Sequence, residues 1–259
     1  MKYRELPPPV EAAPYVESLW LFEAEDVFGD APSHVIVPDG ALSLSLFRLP
    51  DGPIFPSFAG PALQAHKVPL MAGAIYAGVR LRPGTAGSSL REDVSRWRGA
   101  IGPLQDAPPA LLTRLAATLP RVATPDELPG LLDALTRNIA AHAAPVDGPV
   151  RDLAGAIMQG GGRDPLGPLV ARTGLSERHM RRRFAFQCGL SPKEFARLRR
   201  VRTACVEIVA GRRSTYAEAS AEAGYADQAH MSRDFQSVFG NSVSLVQQYL
   251  DSIEHGALL

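Results

Sequence analysis

Residues 176–191 read SERHMRRRFAFQCGLS and residues 227–242 read DQAHMSRDFQSVFGNS. Displaced by 51 residues, the two share methionine (Met180, Met231), arginine (Arg182, Arg233), phenylalanine (Phe184, Phe235), glycine (Gly189, Gly240) and serine (Ser191, Ser242). Each copy opens on a side-chain oxygen, that of Ser176 or Asp227, able to accept from a free N–H in the first turn of a helix. Each is preceded by an Ala-x-x-Gly segment, Ala171 to Gly174 and Ala221 to Gly224. Glycine suits the corner between two short helices because it takes positive φ without a Cβ clash. Helix, glycine corner, capped second helix is the grammar of a helix-turn-helix unit, and it is written here twice.

Helical spacing separates the faces of each capped helix. Met180, Phe184 and Cys188 fall at i, i+4 and i+8 and are expected in the core, whereas Arg178, Arg181, Arg182 and Ala185 share a different face. Arginines so placed can enter a major groove and donate bidentately to guanine O6 and N7, roughly 1–3 kcal/mol of discrimination for each good pair. In the second copy Met231, Phe235 and Phe239 are expected inward, and Ala229, Ser232 and Arg233, with neighbouring His230, outward. Ser232 or His230 suits a base edge or a phosphate, and Ala229 a thymine methyl. The competing readings are a solvated helix face for residues 178–183 and a surface salt bridge of Arg233 with Asp234 or Asp227. Between the copies, Pro192 to Val209 has no internal glycine or proline and reads as one helix that fixes the spacing of the two readers, about 34 Å for one turn of DNA. Arg199 on this helix is a candidate for a phosphate contact.

The charge distribution agrees. The whole chain of 259 residues is formally neutral, but residues 1–147 carry a net −4 and residues 148–259 a net +4. Between Arg172 and Arg213 there are 12 basic residues against three acidic ones, the electrostatic footprint of a nucleic-acid-binding face.

The segment from about Val150 to Leu250 resembles the AraC/XylS-type DNA-binding domain in its length, its paired units and the stretch Gly224-Tyr225-Ala226-Asp227-Gln228-Ala229-His230-Met231-Ser232-Arg233-Asp234-Phe235. The resemblance implies base reading by Arg178, Arg181 and Arg182 in the first unit and by Ala229, His230 and Arg233 in the second, and places Phe195, Arg200, Val201 and Ala204 on the linking helix. The sequence departs from the pattern at Val170 and Ser220, where a small alanine is usual, and at Val243 and Gln247 or Gln248, near which a proline and an arginine are usual. More weakly, Tyr15-Val16 with Trp20, Pro38-Asp39-Gly40 and residues 78–84 (GVRLRPG) resemble an uncharacterised N-terminal domain that precedes this module in some bacterial regulators, which implies sensing or dimerisation.

That first part is β-rich in its patterning. Leu42, Leu44 and Leu46 alternate with Ser43 and Ser45 after a Pro-Asp-Gly turn, and Val35 to Val37 and Ala74 to Leu81 are further strand candidates. The uncharged run Val68 to Val79 is too short to span a bilayer and reads as a buried strand. From Pro108 the period turns helical, with Leu111, Leu112, Leu115 and Leu119 on one stripe and Leu128, Leu131, Leu132, Leu135 and Ile139 on another, available for dimerisation or for packing on their own domain. The prolines and glycine of residues 143–149 read as a linker permitting a hinge.

The expectation is therefore an α+β chain: a β-rich sensing or dimerisation domain over residues 1–144 with a helical part at about 108–142, then an all-α domain over 149–255 of two helix-turn-helix units joined by a linking helix. Double-stranded DNA is the expected partner; RNA polymerase, a small-molecule effector and a second copy of the chain are the others such a regulator implies. The N-terminus lacks the apolar run of a secretory signal, and Cys188 and Cys205 form no disulfide framework, so a cytoplasmic setting and no membrane partner are expected. No catalytic residue, cofactor or metal is expected: Ser/His/Asp, P-loop and dinucleotide patterns are missing, and His34 and His66 lack ligand spacing. Cys188 is expected to be buried rather than redox-sensing. Asp39 and Arg80 or Arg82 are candidates to meet in an effector pocket, although Pro-Asp-Gly is first of all a turn.

Overall fold

The alternating segments of the first half pair into an antiparallel sheet in a computed structural model that describes residues 2–24, 33–50, 52, 54–106, 127–209 and 215–251. Strands β1 (Lys2–Leu6), β2 (Val16–Glu23), β4 (Ser43–Arg48), β5 (Ile54–Ala59), β7 (Ile75–Leu81) and β8 (Ile101–Pro103) form the order β1-β2-β7-β4-β5-β8, and β3 (Ser33–Ile36) pairs with β6 (His66–Pro69) in a second, two-stranded sheet. The run 68–79 is not one strand. Pro69 closes β6, and Gly73, at φ +75° and donating its N–H to Ala24 O, turns the chain before β7 begins.

A strand's side chains point alternately to its two faces, and the six-stranded sheet uses both. On one face Leu44, Leu46, Ala77, Val79 and Leu81 are buried with α2 (Leu128–His142), whose Leu128, Leu131, Leu132, Leu135 and Ile139 all lie under the sheet. That leucine stripe is spent on its own domain; the stripe at 111–119 lies outside the described residues. A short α1 (Ala86–Leu90) and a 3-10 turn (Val94–Trp97) complete this layer.

The second half is all helix: α3 (Gly148–Gln159), α4 (Leu166–Ala171), α5 (Glu177–Cys188), α6 (Pro192–Val209), α7 (Tyr216–Glu222), α8 (Gln228–Phe239) and α9 (Val243–Asp251). Both repeat copies fold as the spacing predicts. Ser176 Oγ accepts from His179 N–H and Asp227 Oδ1 from His230 N–H, and the corner glycines Gly174 and Gly224 sit at φ +71° and +79°. The linking helix has the predicted limits, and Phe195, Val201 and Ala204 are buried on it. One continuous core holds both units, with Met180, Phe184, Phe195, Met231 and Phe235 fully buried. Val170 and Ser220 are buried too.

The segment 143–149 is pinned, contrary to the hinge its composition implies. Ala144 N–H donates to Ser88 O, Ser88 Oγ–H donates to Pro145 O at 3.1 Å, and Asp147 caps α3 through Val150 N–H while its carboxylate receives Arg183 Nε–H at 2.8 Å. Among the described residues no helix is long and apolar enough to cross a membrane.

Candidate nucleic-acid interface and the cavity behind it

In the N-terminal half of α5, Met180 is buried in the core while Arg178, Arg181 and Arg182 are exposed on the opposite side. In its C-terminal half Gln187, buried, accepts from Ser88 N–H at 2.8 Å and donates to Ser88 Oγ at 3.0 Å, and Gly189 comes so close to Pro61 and Val94 that a Cβ there would collide with both. Arg183 faces Asp147 rather than open solvent, which removes it from the arginine cluster read in the sequence. On α8, Ala229 and Arg233 are exposed and His230 and Ser232 half-buried. Neither carboxylate weighed as a partner for Arg233 is directed to it: Asp227 caps the helix and Asp234 pairs with Arg197 at 2.9 Å. His230 stands edge-on to Tyr225 at 5.1 Å, and Tyr225 in turn lies under the Arg200 guanidinium.

Arg199, the candidate phosphate contact, is turned toward the first half. It is largely withdrawn from solvent beside Arg202, Asp39 and Glu17, and burial, with the Arg202 charge added, lowers its proton affinity. Its side chain belongs to the contact between the two halves.

Behind that contact lies a cavity of about 450 Å³ between the six-stranded sheet and the β3–β6 pair, with Arg202 of α6 in its wall. Asp39 and Arg80 meet there at 3.1 Å. Asp39 also makes the turn, its Oδ1 accepting from Ala41 N–H, so the turn and pocket readings of Pro38-Asp39-Gly40 both hold. Burial works against the Asp39 charge, but the guanidiniums of Arg80 and Arg202 outweigh it and the carboxyl stays below its ordinary range. Arg80 reaches further, to Glu5 at 2.8 Å and Tyr3 Oη at 3.2 Å. At the other end of the cavity Val35 N–H donates to Tyr249 Oη at 2.6 Å, and the same hydroxyl shares a hydrogen bond with His34 Nδ1 at 2.9 Å. Burial lowers His34 to about 4, so the ring is neutral at pH 7. Tyr249 lies on α9, one helix beyond the second reader.

A helix-turn-helix domain model matches residues 169–249, and a domain of unknown function (DUF6597) matches residues 4–102. The chain carries an AraC-type DNA-binding domain. A search of curated proteins returns no match. Solved structures of ToxT from Vibrio cholerae are similar in overall course. One from strain O395 is 9% identical, with 97% of each chain covered and a TM-score of 0.43. An unsaturated-fatty-acid-bound form is 10% identical, covering 98% of this chain and 96% of that one at a TM-score of 0.39.

Both helix-turn-helix units are legible in the sequence, whereas what holds them to the first half is not. The exposed arginine face and the caps follow from helical period and end chemistry. Gln187 carries no local signal, because its partner is 99 residues away. Arg98, which pairs with Glu194 of α6 at 2.7 Å, is of the same kind. Cys188 is buried, as expected, and burial pushes its thiol well above the ordinary range, while Cys205 is pushed up to about 12. Among the described residues no group of three or more His, Cys, Asp or Glu is placed to hold a metal.

Proposed function

We propose that this protein is a sequence-specific DNA-binding regulator of transcription in which residues 1–144 sense an effector and residues 149–255 read DNA. The observation that carries the reading is the exposed arginine face of Arg178, Arg181 and Arg182 on a capped helix, repeated in weaker form by Ala229, His230, Ser232 and Arg233, with one 18-residue helix setting the spacing. Arginine on a helix entering the major groove supplies base contacts, and the cations around it supply phosphate contacts. The cavity is the place for an effector: its wall includes Arg202 of the linking helix, and its far end is bonded to Tyr249 of α9. A bound molecule that shifts these contacts alters how the two readers are presented. A second copy of the chain and RNA polymerase are further partners of such a regulator.

Selection of bound sequences from random double-stranded DNA at two salt concentrations tests the proposal. A defined motif should emerge, with log K falling against log salt by about 0.9 per neutralised phosphate. A slope near zero, or a pool that never enriches, overturns it.

A further inference from the structure

The register of the six-stranded sheet places one aromatic residue from each of five neighbouring strands in a single row. Tyr3 pairs with Phe22, Phe22 with Tyr76, Tyr76 with Phe47, and Phe47 with Phe55. The rings touch in series: centroids are 5.7 Å apart for Phe22–Tyr76, 4.8 Å for Tyr76–Phe47 and 6.2 Å for Phe47–Phe55, and His34 stacks on Phe22 at 5.1 Å and 23°. All of them line the cavity. Two residues further along β2, β7, β4 and β5 the same face changes character, to Trp20, Gly78, Ser45 and Ser57, with Glu5 beside Trp20 on β1. The Trp20 indole lies across Gly78, where a Cβ would meet it at 2.6 Å, so the small residues leave a floor with one flat wall. Two residues further again stand Arg80 and Ser43, with Asp39 beside them. From Tyr76 to Arg80 is four strand residues, about 13 Å.

This gradient specifies a class of ligand. A row of rings offers offset and edge-on contacts to a flat apolar body. The serine hydroxyls of the floor donate and accept, suiting a hydroxyl or carbonyl group. The charged end is already matched: Asp39 has Arg80, and Arg80 also has Glu5. An anionic ligand would have to compete with the Asp39 carboxylate for Arg80 and a cationic one would face the Arg80 and Arg202 guanidiniums, and either would give up its water for a cavity that is mostly aromatic. Exposed Ile36, Phe55 and Ile101 also line the cavity, which gives an apolar molecule an apolar approach.

Resting on the effector reading above, we infer that the cavity binds an uncharged, flat aromatic molecule of at most about 13 Å, its body against the Phe22–Tyr76–Phe47 row and its one hydroxyl or carbonyl toward Ser43 and Ser45.

Calorimetric titration of the full chain with 2-naphthol, 2-naphthoate and decanoate tests the inference, since the three differ in charge and in flatness. 2-Naphthol should bind about tenfold or more tighter than either anion at pH 7, with quenching of tryptophan emission from Trp20. Ser45→Leu, which fills the floor, should remove that binding while circular dichroism and DNA binding stay those of the parent. Ser57→Leu, one strand nearer the sheet edge, serves the same purpose if the first variant does not fold. Equal or tighter binding of naphthoate or decanoate, 2-naphthol binding unchanged by a filled floor, or no binding of any of the three overturns the inference. If that happens while DNA selection still yields a motif, only the ligand class falls; loss of the motif with 2-naphthol still bound removes the regulator reading instead.

Discussion

The two recognition helices share a backbone plan and differ in charge and in restraint. α5 presents Arg178, Arg181 and Arg182, and its C-terminal turn is fixed by a buried side-chain network to Ser88. α8 presents Arg233 with Ala229, and among the described residues its C-terminal turn meets the first half through a backbone bond, Ala65 N–H to Val238 O at 2.7 Å, with help from Tyr249 on the next helix. The reader with more cations is thus the one more tightly held to the sensing half. Exposed cations and restraint therefore sit together on the first unit.

The largest effects are expected from the shared core. Phe184→Ala and Phe235→Ala should each cost about 3–5 kcal/mol, and because both rings belong to one cluster each should lower a single common transition in urea. Two separate transitions would show the units to be independent and the comparison to be one between domains. Next in size is DNA affinity. Arg182→Ala should lose about 1–3 kcal/mol on the selected site and relax the preference at one position, with Arg233→Ala losing less; equal losses in a binding titration would remove the inequality of the readers.

Restraint is tested by smaller changes. Gln187→Ala leaves the buried Ser88 N–H without its acceptor, at about 1–3 kcal/mol of stability, and should raise proteolytic cleavage between the halves while leaving the arginine face intact. Resistance to cleavage equal to the parent's would show that this network restrains nothing. The smallest effect concerns His34. Burial holds it near 4 in the folded chain, whereas an unfolded histidine titrates near 6.5. The unfolded chain therefore takes the proton first as pH falls: the stability due to the neutral ring is complete above about 6.5 and declines from there toward 4. Urea midpoints between pH 7 and 5 should fall in the parent and fall less in His34→Gln.

What the sequence disclosed followed distance along the chain. The caps at Ser176 and Asp227, the corner glycines and the limits of the linking helix are set by neighbours within a few residues, and period and end chemistry reveal them. The sheet was visible only as fragments. Tyr3, Phe22, Phe47, Phe55 and Tyr76 form one row, yet no two of them lie within a single short window, and the run 68–79 hides a turn inside apolar residues. Arg183 and Arg199 look like neighbouring members of a basic surface; what turns them inward is Asp147 for one and the Asp39–Glu17 side of the other half for the other. A basic count records how many cations a region has, and only the fold tells how many are available.

Asp147 stands where the connector meets the first reading helix. One carboxylate caps α3 and also receives Arg183, so the connector and the reading helix compete for the same guanidinium with any phosphate that approaches it. Coupling of this kind is reciprocal: DNA that recruits Arg183 must loosen residues 143–149 by as much as their docking weakens the grip on DNA, and the connector becomes a reporter of occupancy at a distance from the groove.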